Sequence, residues 1–119
     1  MKLLFDCVRD TMICLEENLE YNRYIRTAML YDKLNNYLPD DIDYTCQKLS
    51  EAGFIEIKTD ILGNITITNL TYNGHIFLDT IRDSGVWKET KSKISKLASV
   101  SLPILQQVAA QLINHKLGI

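Results

Sequence analysis

Histidine, proline and tryptophan are scarce in this 119-residue chain, which holds two His, two Pro and one Trp. His75 and His115 stand roughly forty residues apart, and no Gly-rich phosphate loop, zinc-binding pair or nucleophile elbow accompanies them. The expectation is a protein without catalytic residues, cofactor or metal. With five Gly and two Pro the chain is neither collagen-like nor a flexible linker. Its three cysteines, Cys7, Cys14 and Cys46, are odd in number and lack any Cys-x-x-Cys pair. That excludes a fully paired disulfide framework and points to a reducing, cytoplasmic setting. No run approaches the roughly 20 apolar residues of a membrane span. The opening Met1-Lys2-Leu3-Leu4-Phe5 meets Asp6, Arg9 and Asp10 before a signal-peptide core develops. No membrane is expected among the partners.

What is present is an ordinary globular balance: 46% apolar residues, 24% charged residues and a formal net charge of −2. At this length the chain can bury a real core. So weak an overall charge argues against a dominant nucleic-acid-binding surface. Its distribution is uneven, with 12 acids and 7 bases in residues 1–60 and 3 acids and 6 bases in residues 61–119. The halves therefore carry −5 and +3. Either they are two differently solvated surfaces, or opposite ends steer a subunit or partner.

Leu4, Val8, Met12, Leu15 and Leu19 recur at helical spacing and predict a first helix over 4–19, with Cys7 and Cys14 as small buried hydrophobes. Tyr24-Ile25-Arg26 reads as a short strand, and Thr27 as the N-cap of a helix from Ala28 to about Asn36. Pro39 suits the first turn of a third helix reaching Ala52, with Ile42, Cys46 and Leu49 inward and Gly53 as its left-handed terminator. Asp40, Asp41 and Asp43 crowd its start, where carboxylates complement the helix dipole; a metal site is the sharper alternative. After Gly53 the period changes to two: Ile55-Glu56-Ile57-Lys58 and Ile65-Thr66-Ile67-Thr68 form a hairpin joined by residues 60–64. Thr71 should cap a fourth helix burying Phe77, Leu78 and Ile81, which Ser84-Gly85 interrupts. A lysine-rich helix from Val86 to about Ala98 turns Trp87, Thr90, Ile94 and Leu97 to one side. Leu102 to Leu117, started by Pro103 and stopped by Gly118, is a strongly apolar last helix.

The order helix, short strand, helix, helix, hairpin, helix is that of a winged helix-turn-helix. The fold class is mainly α with a small β wing, over residues 1–84, followed by a two-helix C-terminal extension over 86–117. Leu49-Ser50-Glu51-Ala52-Gly53-Phe54-Ile55 resembles the L-x-x-x-G-[LF]-I passage from third helix to wing. Leu70-Thr71-Tyr72-Asn73-Gly74 resembles the L-T-x-x-G exit from the wing in many winged-helix regulators. The longer run from Leu70 to Trp87 resembles an uncharacterised family of short phage and prophage proteins bearing L-T-x-x-G-H-x-F-L-D-x-I-R-D-x-x-V-W. Met1-Lys2-Leu3 with Val8-Arg9, and Leu49 to Gly53, match the same family, so similarity spans residues 1–105. Where that family often has a His in the third helix, this chain reads Tyr44-Thr45-Cys46. The resemblance implies a winged-helix fold and a phage or prophage setting, and no mechanism.

Function follows as expectation. A winged helix would place Tyr44, Gln47 and Lys48 toward bases of duplex DNA, with Lys58 and Asn64 as wing contacts. Against this, the third helix carries Asp40, Asp41, Asp43 and Glu51 but one Lys, while phosphate neutralisation supplies most affinity. The leading reading is a non-catalytic phage regulatory protein that binds DNA. The alternative is an accessory module engaging a host or phage protein, for example as an inhibitor. His75 with Asp79 and Arg82 could form an acid/base pair, although a structural tie is the simpler reading. The last helix is apolar nearly all round, so it packs back on the chain or forms a homodimer through Leu105, Val108, Leu112 and Ile113.

Overall fold

A computed structural model describes residues 1–97 and 100–118. Its elements in chain order are α1 (Phe5–Asn18), β1 (Ile25–Arg26), α2 (Thr27–Lys33), α3 (Pro39–Glu51), β2 (Ile55–Thr59), β3 (Ile65–Leu70), α4 (Tyr72–Ile81), α5 (Ser84–Ile94) and α6 (Leu102–Leu117). The protein is mainly helical with a small antiparallel sheet in the order β1-β3-β2, and the change of period at Gly53 marks its β2–β3 hairpin. Two compact units divide the chain, residues 1–75 and 76–119, and the boundary falls inside α4.

The first unit is built from α1, α2 and α3 with the sheet. Val8, Met12 and Leu15 of α1, Leu30 of α2, and Ile42, Cys46 and Leu49 of α3 are wholly buried. Ile55 and Ile67 fill the inner face of the sheet beside them. The ends of the α1 stripe lie outside this core, with Leu4 exposed and Leu19 half-buried, because α1 begins at Phe5 and stops at Asn18. The strands alternate as the Ile/polar pattern requires, but the pairing slips opposite Glu56 and Ile57, where Thr68 is an extra residue in β3 and a bulge bends that strand.

Pro39 occupies the first turn of α3, and Gly53 takes the left-handed conformation (φ +82°) that ends it. The chain then turns back tightly. Thr71 caps α4 by accepting from Gly74 N–H at 3.0 Å, and its hydroxyl donates to the Gly53 carbonyl at 2.6 Å. Gly74 is buried against Phe54, where any Cβ would collide with the Phe54 carbonyl. This contact explains the glycine on steric grounds, not on a special dihedral.

Three local expectations are corrected. Thr27 is the first residue of α2 rather than its cap; Arg26 holds the cap position without a side-chain bond. Being buried, the Thr27 hydroxyl donates instead to the Ile65 carbonyl at 3.4 Å, linking helix to sheet. The helix also ends early, since Leu34 leaves helical geometry (φ −114°, ψ 51°). Ser84-Gly85 does not interrupt α4: the helix ends at Ile81, and Asp83 caps α5 by accepting Val86 N–H at 2.8 Å.

In the second unit α5 packs along α6. Val86, Trp87, Thr90 and Ile94 are buried as their spacing predicts, whereas Leu97 lies beyond the helix end and is exposed. The expected last residue of that helix, Ala98, lies outside the described residues. Ser101 and Gly118 bound α6 as an N-cap and a left-handed stop. Lys116 near its end reaches Asp83 at 3.2 Å, closing the helical pair.

Candidate binding surface

The outward side of α3 follows directly from its buried stripe. With Ile42, Thr45, Cys46 and Leu49 inward, Asp40, Asp43, Tyr44, Gln47 and Lys48 are left facing out, and with Met1 they line a shallow cleft of about 350 Å³. The structure thus brings together the three α3 residues read as base contacts. Their electrostatics differ from those of a phosphate-seeking surface. The Lys48 ammonium lies 3.0 Å from the Glu51 carboxylate and 5.3 Å from the Tyr44 ring centre. The bond to Glu51 raises its pKa, so the ammonium already meets a carboxylate of its own helix. Asp40 at the helix start is exposed.

Asp43 has another task. The Tyr31 hydroxyl donates to its Oδ1, which ties α2 to α3. Tyr37 likewise donates to Asp10 Oδ2 at 2.7 Å, fixing the α2–α3 connection on α1. Burial, then these carboxylates, push both phenols above their ordinary pKa. Such ties carry no distinctive sequence spacing. The Asp cluster works as helix-start electrostatics and as anchors, and among the described residues no group of three or more His, Cys, Asp or Glu is placed to hold a metal ion.

Lys58 and Asn64, the other predicted contacts, lie on the hairpin. Lys58 sits over the Tyr24 ring at 5.8 Å. Asn64 is drawn into the turn, where Asp60 Oδ1 accepts the N–H groups of Leu62 and Asn64 at 2.9 Å each and Asp60 Oδ2 accepts Asn64 Nδ2 at 3.1 Å. Those bonds to the charged form hold the Asp60 pKa below its ordinary value. Gly63 supplies the left-handed turn residue (φ +85°). The locked turn displays Ile61 and Leu62 at 94% and 85% exposure. The available sequence signal was two adjacent aliphatic residues inside a turn whose neighbours are polar.

The remaining candidates divide. Leu105 is covered by the chain's own fold, whereas Val108, Leu112 and Ile113 are half-buried along α6. Asp79 is bound by Arg82 at 3.1 Å, so its carboxylate is occupied by a guanidinium. Cys7, Cys14 and Cys46 are free, buried thiols. Thr45 donates to Cys7 at 3.4 Å, and burial raises all three thiol pKa values, that of Cys46 to about 12. Neutral, enclosed thiols are poor nucleophiles.

Comparison with known proteins adds lineage. The family described as "Hypothetical protein (DUF2513)" matches residues 2–101. An uncharacterized protein of Haemophilus influenzae is 32% identical over 122 residues, covering 99% of this chain and 100% of that protein. No solved structure matches the chain.

Proposed function

This chain belongs to the DUF2513 family, and we propose that it is a non-catalytic regulatory module of winged-helix type that docks a basic protein surface. The arrangement α1-β1-α2-α3-β2-β3, with β3 central in the sheet, supports the winged-helix reading. The resemblance noted above supports a phage or prophage setting. One observation carries the choice of partner. The sole lysine of α3 is partnered by Glu51 within the same helix, leaving Asp40 exposed beside it and no outward cation to meet phosphate. Ile61 and Leu62, held out on a rigid turn, supply the apolar anchor that protein interfaces use and a phosphate backbone cannot reward.

Duplex DNA is the second reading, favoured by the meeting of Tyr44, Gln47 and Lys48 in one cleft. The two separate in one experiment on the purified chain. A tagged protein passed through host lysate should retain a stoichiometric protein partner, lost with Asp40→Lys plus Glu51→Lys and with Ile61→Ser plus Leu62→Ser. If these variants retain the partner unchanged, the docking reading fails. Retardation of random duplex DNA that weakens with Lys48→Glu plus Lys58→Glu would establish the second reading in its place.

A further inference from the structure

The surplus positive charge of the second unit is gathered on α5 and the turn that follows it. The second unit holds three acids, Asp79, Asp83 and Glu89, and six bases, Arg82, Lys88, Lys91, Lys93, Lys96 and Lys116. Arg82 binds Asp79 and Lys116 binds Asp83. The surplus of +3 therefore falls on α5 and its exit, where Lys88, Lys91, Lys93 and Lys96 accompany Glu89 alone. We infer that the outward side of α5 and the turn that follows it, with Lys88, Lys93 and Lys96, is a contact surface for the phosphates of duplex nucleic acid.

The pattern departs from that of a merely solvated helix, in which lysines alternate with acids three or four residues away. Around Lys88 those positions are Ser84, Gly85, Lys91 and Ser92; before Lys96 they are Ser92 and Lys93. Only Lys93 has an acid at such spacing, Glu89. Like charges so placed weaken a helix slightly, and an anionic polymer relieves that repulsion. Lys88, Lys93 and Lys96 are exposed. A lipid surface fits less well, because a membrane-bound amphipathic helix must insert its apolar side, and Val86, Trp87, Thr90 and Ile94 are already buried. Lysine side chains on a helix act as point charges and read no bases, so the contact is independent of sequence. It does not depend on the docking role assigned to the first unit.

The test uses the full chain, a 30-base-pair duplex of arbitrary sequence, and fluorescence anisotropy over a salt series. With three or four phosphates neutralised, log K should fall with log salt at a slope of about −2.7 to −3.6. Lys88→Gln, Lys93→Gln and Lys96→Gln together should weaken binding at least tenfold at low salt and flatten the slope toward about −1. Lys2→Gln plus Lys33→Gln, exposed lysines of the first unit, should change both far less. All these side chains are exposed or half-exposed, and an unchanged circular dichroism spectrum confirms that each variant folds. The inference is overturned if the wild-type chain does not bind, if the triple variant binds as well, or if the Lys2/Lys33 variant loses as much affinity as the triple variant. Equal salt-sensitive binding to phosphatidylglycerol vesicles, or a salt-sensitive dimer lost in the triple variant with no duplex retained, would also overturn it.

Discussion

Single side chains fix the geometry that the candidate surface depends on, and Gly74 is the clearest case. Its hydrogen occupies the space between α4 and the Phe54 carbonyl. Gly74→Ala must push two backbone segments apart, at a cost in the upper part of the 1–3 kcal/mol range for overpacking; a lowered urea midpoint with unchanged slope checks this. Asp60 gives a pH-dependent counterpart. Its folded pKa is depressed by the bonds it accepts, so its contribution is complete above the ordinary carboxylate pKa and is lost as pH falls through the lower, folded value. The amide resonances of Leu62 and Asn64 should shift together over that acid range, and Asp60→Asn should remove the transition. Cys46 behaves oppositely. Because its folded pKa is raised from 9.0 to about 12, the native state keeps the thiol neutral while the unfolded chain ionises. Stability should therefore decline as pH rises above about 9, and a thiol reagent at pH 8 should label Cys46 only in denaturant.

At the scale of elements, what was legible in the sequence is what periodicity encodes. The stripe Ile42, Cys46 and Leu49, the Ile-rich alternation of the hairpin and the Leu102 to Leu117 span of α6 with its Gly118 stop all follow from spacing and terminators. Side-chain bonds that choose between neighbouring residues do not. Thr27 looks like a cap, yet its buried hydroxyl reaches the sheet; Asp83, lying beside an obvious Ser-Gly break, is the real cap of α5. The surface was half legible. Composition flags the acidity of α3, but only coordinates show that Glu51 holds Lys48 or that Asp60 locks Ile61 and Leu62 outward. The stripe itself predicts a cost: Leu49→Ala should destabilise the first unit by roughly 2–5 kcal/mol, as truncation of a wholly buried leucine does. Thermal denaturation followed by circular dichroism measures it.

Across the whole molecule, the −5 of residues 1–75 and the +3 of residues 76–119 give the two units opposite tasks in the scheme proposed above: a basic protein for one and a polyanion for the other. Self-association is a separate matter, tied to α6. Val108, Leu112 and Ile113 are half-buried there, and a dimer through them predicts twice the monomer mass by light scattering, abolished by Leu112→Asp; a monomer at high concentration ends that idea. The sheet offers no comparable route. β2 lies at its margin, and the extra residue of its neighbour β3, Thr68, adds twist opposite the step from Glu56 to Ile57. A newcomer laid along that margin would have to follow the added twist, which works against the long, flat stacking on which fibrils are built.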